Sequence, residues 1–320
     1  MAGDAAESLG NFVPLGLKRG WLLKRSYTSW LADGALFLVA LGWGFNFVVI
    51  KWTLGQMTPF YYLALRFALS LLVMLLIAGR RLTGLSRREW RNGLIIGLFL
   101  FGAFATQTVG LQYTTPGKSG FITGLNVVLV PLLQWGLSRR FPGYNALVGA
   151  VLATAGLGLL SLNGSLHLAL GDLLTLICAL LYAGHIVAIS KLGRGTDPLA
   201  LAVLQIGVAA AGNVVMALLL EPAPTGLTAF SAGSIVYGAL VGTVLAFSVQ
   251  TAAQRLTPPS HTAVILSAEA MFAGLFSILL WGEAVTARSL LAAGLILGGI
   301  ITAELRSGNP AEVPPVEMPV

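Results

Sequence analysis

TQTVGLQYTTPGK at residues 106–118 and VQTAAQRLTPPSH at residues 249–261 carry the reading that decides the fold. Set one above the other, Gln107 meets Gln250, Thr114-Thr115-Pro116 meets Thr257-Pro258-Pro259, and Lys118 meets His261. Carried on with an offset of 143 to 144, the register places Asn126 against Glu269. Further upstream an offset of 139 sets Trp43 on Tyr182, Asn46 on His185, Pro59 on Pro198 and Arg66 on Gln205. Apolar sequences align by chance, but polar residues coinciding inside apolar runs are harder to obtain that way. The chain therefore reads as two copies of one unit, the kind of internal repeat on which many carriers are built.

The surroundings of these stretches are almost wholly apolar. Of the 320 residues, 56% are hydrophobic and only 10% charged, with 39 glycines. A soluble domain needs about 25% charged residues to cover its surface. The composition excludes a soluble enzyme, a nucleic-acid-binding domain and a disordered chain. About 20 apolar residues are needed to cross the hydrocarbon, and ten such runs can be drawn: 30–51, 59–78, 92–111, 118–137, 145–161, 170–190, 198–220, 232–254, 260–281 and 288–305. The fold class expected is an all-α integral membrane protein, ten transmembrane helices as two five-helix repeats spanning 30–161 and 170–305. Residues 1–29 form an N-terminal segment without the apolar core and cleavage site of a signal peptide. Residues 306–320, rich in Pro and Glu, read as a disordered tail. Gly93/Gly97, Gly120/Gly124, Gly238/Gly242 and Gly294/Gly298 are small-xxx-small pairs expected at close helix contacts.

The net charge of +7 is a topology signal. With ten spans and both ends on one side, fifteen of the nineteen Lys and Arg fall on that side. Only Lys118 and Arg288 fall opposite, and Lys51 and Arg66 lie within spans. The positive-inside rule then puts both termini in the cytoplasm. Five is an odd number, so the second repeat starts from the face opposite to the first, and the copies are inverted. Inverted repeats around a midplane site are a recurring basis of alternating access.

At this point the chain resembles the drug/metabolite transporter superfamily, of the type whose halves are EamA domains. The resemblance rests on Gly42-Trp43-Gly44-Phe45-Asn46, on Arg66-Phe67, on Thr115-Pro116-Gly117-Lys118-Ser119-Gly120 through Pro131, on Thr262 through Glu269, and on Trp281-Gly282-Glu283. Two positions depart from the family pattern. Ser138-Arg139-Arg140 stands where a Gly-Glu pair like Gly282-Glu283 is usual, and Ala270 stands where a proline commonly follows the Glu269 position. The resemblance implies a secondary transporter exporting small organic metabolites, amino acids or drugs across the bacterial cytoplasmic membrane. An uptake carrier or uncoupled facilitator of the same fold is the alternative, and an intramembrane enzyme the alternative of another class.

Polar side chains in the hydrocarbon cost roughly 2.5–3.5 kcal/mol for a central charge, so they persist where they face a cavity or a partner. Glu269, ten residues into its span, is the leading substrate-contacting or proton-coupling carboxylate, against an alternative of helix packing. Arg66 reads as its ion-pair partner, as a contact for a substrate carboxylate, or as a helix lock, the last preferred because the other half has Gln205 there. Asn46 and His185 would face each other near the midplane, each with an aromatic one turn away, Trp43 and Tyr182. Gln107, Asn126, Gln250 and Tyr113 are weaker candidates.

The chain carries no phosphate-cradling Gly-rich loop for ATP, His167, His185 and His261 have no metal-ligand spacing, and Cys178 is a lone cysteine. No cofactor, metal or catalytic residue is expected. The partners expected are a small-molecule solute and the lipid bilayer, with no nucleic acid, the chain acting as a monomer or a homodimer. Asn163-Gly164-Ser165 fits a glycosylation sequon but lies too near the membrane to carry weight.

Overall fold

The computed structural model describes residues 27–139, 141, 143–161, 169–224, 226–257 and 259–304. The expectations for the segment before Tyr27, for Arg140, for Asn163-Gly164-Ser165, for His167 and for the tail from Leu305 fall outside those residues. Every regular element among them is helical: α1 (Tyr27–Thr53), α2 (Pro59–Ala78), α3 (Arg87–Gln112), α4 (Pro116–Thr123), α5 (Asn126–Ser138), α6 (Tyr144–Ser161) and α7 (Leu170–Leu192). Then follow α8 (Pro198–Leu220), α9 (Ala229–Ala239), α10 (Ala246–Ala253), α11 (Pro259–Leu266), α12 (Ala268–Phe276) and α13 (Ala287–Glu304). A 3₁₀ turn, Gly79–Leu82, follows α2, while π-helical stretches Leu240–Leu245 and Ser277–Trp281 join α9 to α10 and extend α12.

Eight helical segments among the described residues are long and apolar enough to cross a membrane. The remaining two expected spans correspond to α6 and α13, whose apolar stretches Leu147–Leu159 and Ala287–Gly299 are shorter. Those two helices pack on each other. A Cβ built on Gly156 would lie 2.7 Å from the Ala292 carbonyl oxygen, and one on Gly299 2.6 Å from that of Gly149. Gly294 and Gly298, expected at a contact, have open space beside them, so this crossing uses Gly299 instead. The other three pairs do meet neighbours: Gly93 and Gly97 abut Leu204 and Val208, Gly120 and Gly124 abut Ala273 and Ala270, and Gly238 and Gly242 abut Arg66.

Helix starts follow from local chemistry. Prolines 59, 116, 198 and 259 open α2, α4, α8 and α11, where a missing N–H costs nothing. Ser86 and Glu89 form a reciprocal capping box at α3. Glu221 accepts from the Phe60 and Tyr61 amides, a carboxylate against the positive end of α2. Asp197 caps α8 through the Leu199 and Ala200 amides and meets Arg81 at 2.8 Å. We expect Asp197→Ala to lower stability by about 1 kcal/mol, read as a lower Tm in detergent, while Asn, an equally good cap, keeps most of it.

Two interruptions were not anticipated. The apolar run read as one span over 118–137 divides at Gly124-Leu125 into α4 and α5, and the run over 260–281 divides at Ser267 into α11 and α12. Asn126 and Glu269 stand in the first turn after each break. At the centre Tyr62, Leu63, Phe67, Leu100, Phe104 and Phe247 form a continuous buried cluster. The outer surface is apolar too: Leu76 is 80% exposed and Leu219 73%, a surface suited to lipid and not to water.

Candidate functional site

On α1 the residues Trp43, Asn46, Phe47 and Ile50 recur at i, i+3, i+4 and i+7, which is one stripe of a helix. Phe104 and Gln107 do the same one turn apart on α3. Together with Tyr182 of α7 and Glu269 of α12 these residues line one cavity. Five of the ten site residues expected from sequence are thus brought together: Trp43, Asn46, Gln107, Tyr182 and Glu269. Phe47, Ile50 and Phe104 were missed, although the helical spacing from Asn46 and Gln107 points at them.

The cavity measures about 20 Å³, room for roughly one water and not for an organic solute. Its polar groups are under-employed. Gln107 Nε2 donates to Thr123 Oγ1 at 3.3 Å. The Asn46 Oδ1 is buried without a hydrogen-bond partner. Glu269 is 5% exposed, and among the described residues no donor bonds to its carboxylate. Two acceptors therefore line an aromatic-walled space without a hydrogen bond among the described residues. Gly44 lets α12 close in on α1 here, since a Cβ on it would lie 3.0 Å from the Glu269 carbonyl oxygen.

Beside the cavity the π-helical stretch Leu240–Leu245 widens the backbone turn, which takes carbonyls out of the α-helical ladder. The Gly242 carbonyl accepts from Trp43 Nε1 at 2.9 Å and from Arg66 Nη2 at 3.1 Å. Arg66 is fully buried. Its Nε donates to Thr243 Oγ1 at 3.0 Å, and its guanidinium carbon lies 4.8 Å from the centre of the Phe104 ring. Arg66 thus holds α2 to the π turn through hydrogen bonds and aromatic contact, without an ion pair to Glu269.

The remaining candidates lie off the cavity. His185 hydrogen-bonds Gln205 at 2.6 Å, and Gln205 Nε2 donates on to Thr251 Oγ1 at 3.2 Å. The ring His185 meets on its other side is Phe247, at 5.8 Å, and Phe247 packs in turn on Trp43 at 5.4 Å. Asn46 lines the cavity, whereas His185 does not. Asn126 and Gln250 are buried, each with an unpartnered side-chain oxygen, and line no part of the cavity. Tyr113 is 58% exposed at the end of α3. Among the described residues no cluster of His, Cys, Asp or Glu could hold a metal ion.

Several known proteins are similar to this chain. An uncharacterised transporter from Archaeoglobus fulgidus is 34% identical over 292 residues, covering 89% of this chain and 88% of that protein. The uncharacterised transporter YvbV of Bacillus subtilis is 27% identical over 176 residues, covering 54% of this chain and 57% of that one. A crystal structure with 20% identity shares the fold at a TM-score of 0.67, covering 90% of this chain and all of that one. These names point to a multi-pass membrane transporter rather than an enzyme. The EamA-like transporter family matches twice, over residues 30–162 and 169–304, and the chain belongs to that family.

Proposed function

We propose that the chain is a secondary transporter of ten membrane-crossing helices, built as two inverted five-helix repeats, that exports small organic solutes by alternating access. The observation that carries this reading is the cavity: Trp43, Phe47, Phe104 and Tyr182 wall it, Asn46 brings an unpartnered Oδ1, and Glu269 brings a carboxylate. Such a lining favours a solute with an apolar body and a donor group, an amine or ammonium, which a carboxylate and aromatic faces hold together. Metabolites, amino acids and drugs of that chemistry are the substrate class. Because the cavity holds only about one water as it stands, a solute requires it to open. Glu269, the one carboxylate among the described residues that line it, exchanges its proton with the solute or with water, coupling efflux to proton entry.

On this reading both termini lie in the cytoplasm of a bacterial cell, an orientation that the sorting of Lys and Arg supports. Reconstitution into liposomes with labelled amino acids and organic cations, with and without a pH gradient, tests the reading. The expected result is gradient-driven movement of an amine-bearing solute. Movement of none of the panel under either condition, by protein that remains folded, contradicts it.

A further inference from the structure

Glu283 lies outside the cavity, just past the π-helical stretch Ser277–Trp281, on a tight turn that Gly282 makes at φ 75°. Its carboxylate reaches back to the start of α4. Oε1 accepts from Thr115 Oγ1 at 2.7 Å, and Oε2 accepts from the Gly117 amide at 3.2 Å and from the Ser277 hydroxyl. The approach is so close that a Cβ on Gly117 would sit 2.6 Å from Oε2. Thr115 is itself the cap of α4. One acidic side chain from the second repeat therefore fastens the positive end of a helix in the first.

Neighbouring contacts tie the adjoining helix ends together. Lys118 pairs with the buried carboxylate of Asp172 at 3.0 Å, and Thr114 Oγ1 donates to its other oxygen at 2.7 Å. Lys51, at the end of α1, donates to the Leu111 carbonyl at the end of α3 and to the Thr114 carbonyl just past it, at 2.7 and 2.8 Å. Each of the ends of α1, α3, α4, α7 and α12 is thus held to another.

The other repeat lacks the equivalent carboxylate. Arg139 takes the same left-handed conformation as Gly282, at φ 56°, and closes α5 as Gly282 closes the extension of α12. The following residue is Glu283 in one repeat and Arg140 in the other. A guanidinium has no lone pair to offer a helix N-terminus, so Arg140 cannot make the bonds that Glu283 makes.

We propose that Glu283 is a gate residue: its bonds to Thr115 and Gly117 hold the cavity shut toward the Glu283 face, and their release opens it there. The proposal rests on the alternating-access reading. The test introduces Ile50→Cys, a cavity-lining reporter, into a Cys178→Ala chain and applies a membrane-impermeant thiol reagent to each face of oriented vesicles separately.

Glu283→Gln is expected to raise modification from the Glu283 face about tenfold, having lost charge-assisted bonds, and to lower it from the opposite face. Thr115→Val, which removes one donor, should give a smaller change of the same sign, and Glu283→Asp an intermediate one. Unchanged rates in folded Glu283→Gln and Thr115→Val chains overturn the gate. If the parent reacts from both faces, that result leaves alternating access standing. If no variant reacts from either face, the gate and the alternating-access reading fall together.

Discussion

Arg66→Ala is expected to be among the most damaging single substitutions in this chain, costing about 3 kcal/mol or more. The side chain is entirely buried and makes two bonds to oxygen, to Thr243 and to the Gly242 carbonyl. Hydrogen bonds from a charged group contribute roughly 1.5–3 kcal/mol each, and truncation would add a void between α2 and the π turn. Gly238 and Gly242 leave room for this side chain alone, since a Cβ on either would come within 3.0 Å or less of Tyr62 or Arg66 atoms. Arg66→Lys should recover only part of the loss, because an ammonium lacks the planar fork that addresses Thr243 and Gly242 together. Thermal unfolding in detergent measures both, and an Arg66→Ala chain melting with the wild type would show that the π turn holds without it.

Gly44→Val is expected to abolish transport and sharply reduce the folded yield. A Cβ there would lie 2.3 Å from Phe272 Cβ and 2.9 Å from the Ala273 amide nitrogen. Backbone has to move, so the cost falls at or above the upper end of the ~1–3 kcal/mol usual for overpacking. The helix displaced is α12, which carries Glu269, so any folded remainder has its carboxylate out of place. Gly34, on the same helix but with open space beside it, is the control. Gly34→Ala should transport and express as the wild type does.

Much of the architecture was legible because hydropathy reports burial in lipid directly. Helix α7 covers Leu170–Leu192 against an expected 170–190, and α8 Pro198–Leu220 against 198–220. The breaks after Thr123 and Leu266 and the widened turn at Leu240–Leu245 escaped notice because they change hydrogen-bond offset without changing composition. Gly242 was legible as a helix contact but not as a carbonyl that two other helices address.

The site was half legible for a related reason. Depth along a helix can be counted in sequence, but the direction a side chain faces depends on helix rotation, about 100° per residue. Tyr182 and His185 are three apart and so about 60° from alignment, enough for one to face the cavity and the other Gln205. Gln107 lines the cavity, whereas Gln250, its counterpart in the repeat, does not. Glu283 stood out in sequence only as part of a motif, and its bond to the far repeat needed the fold.

The most direct measurement is solute movement by Glu269→Gln in proteoliposomes with and without a pH gradient, beside wild type and Glu269→Asp. The account predicts that the amide variant folds, retains the cavity walls, and loses gradient-driven movement, while Asp keeps a fraction of it. A Glu269→Gln chain whose transport kept the wild-type rate and its dependence on pH would contradict the claim that this carboxylate is where solute and proton meet.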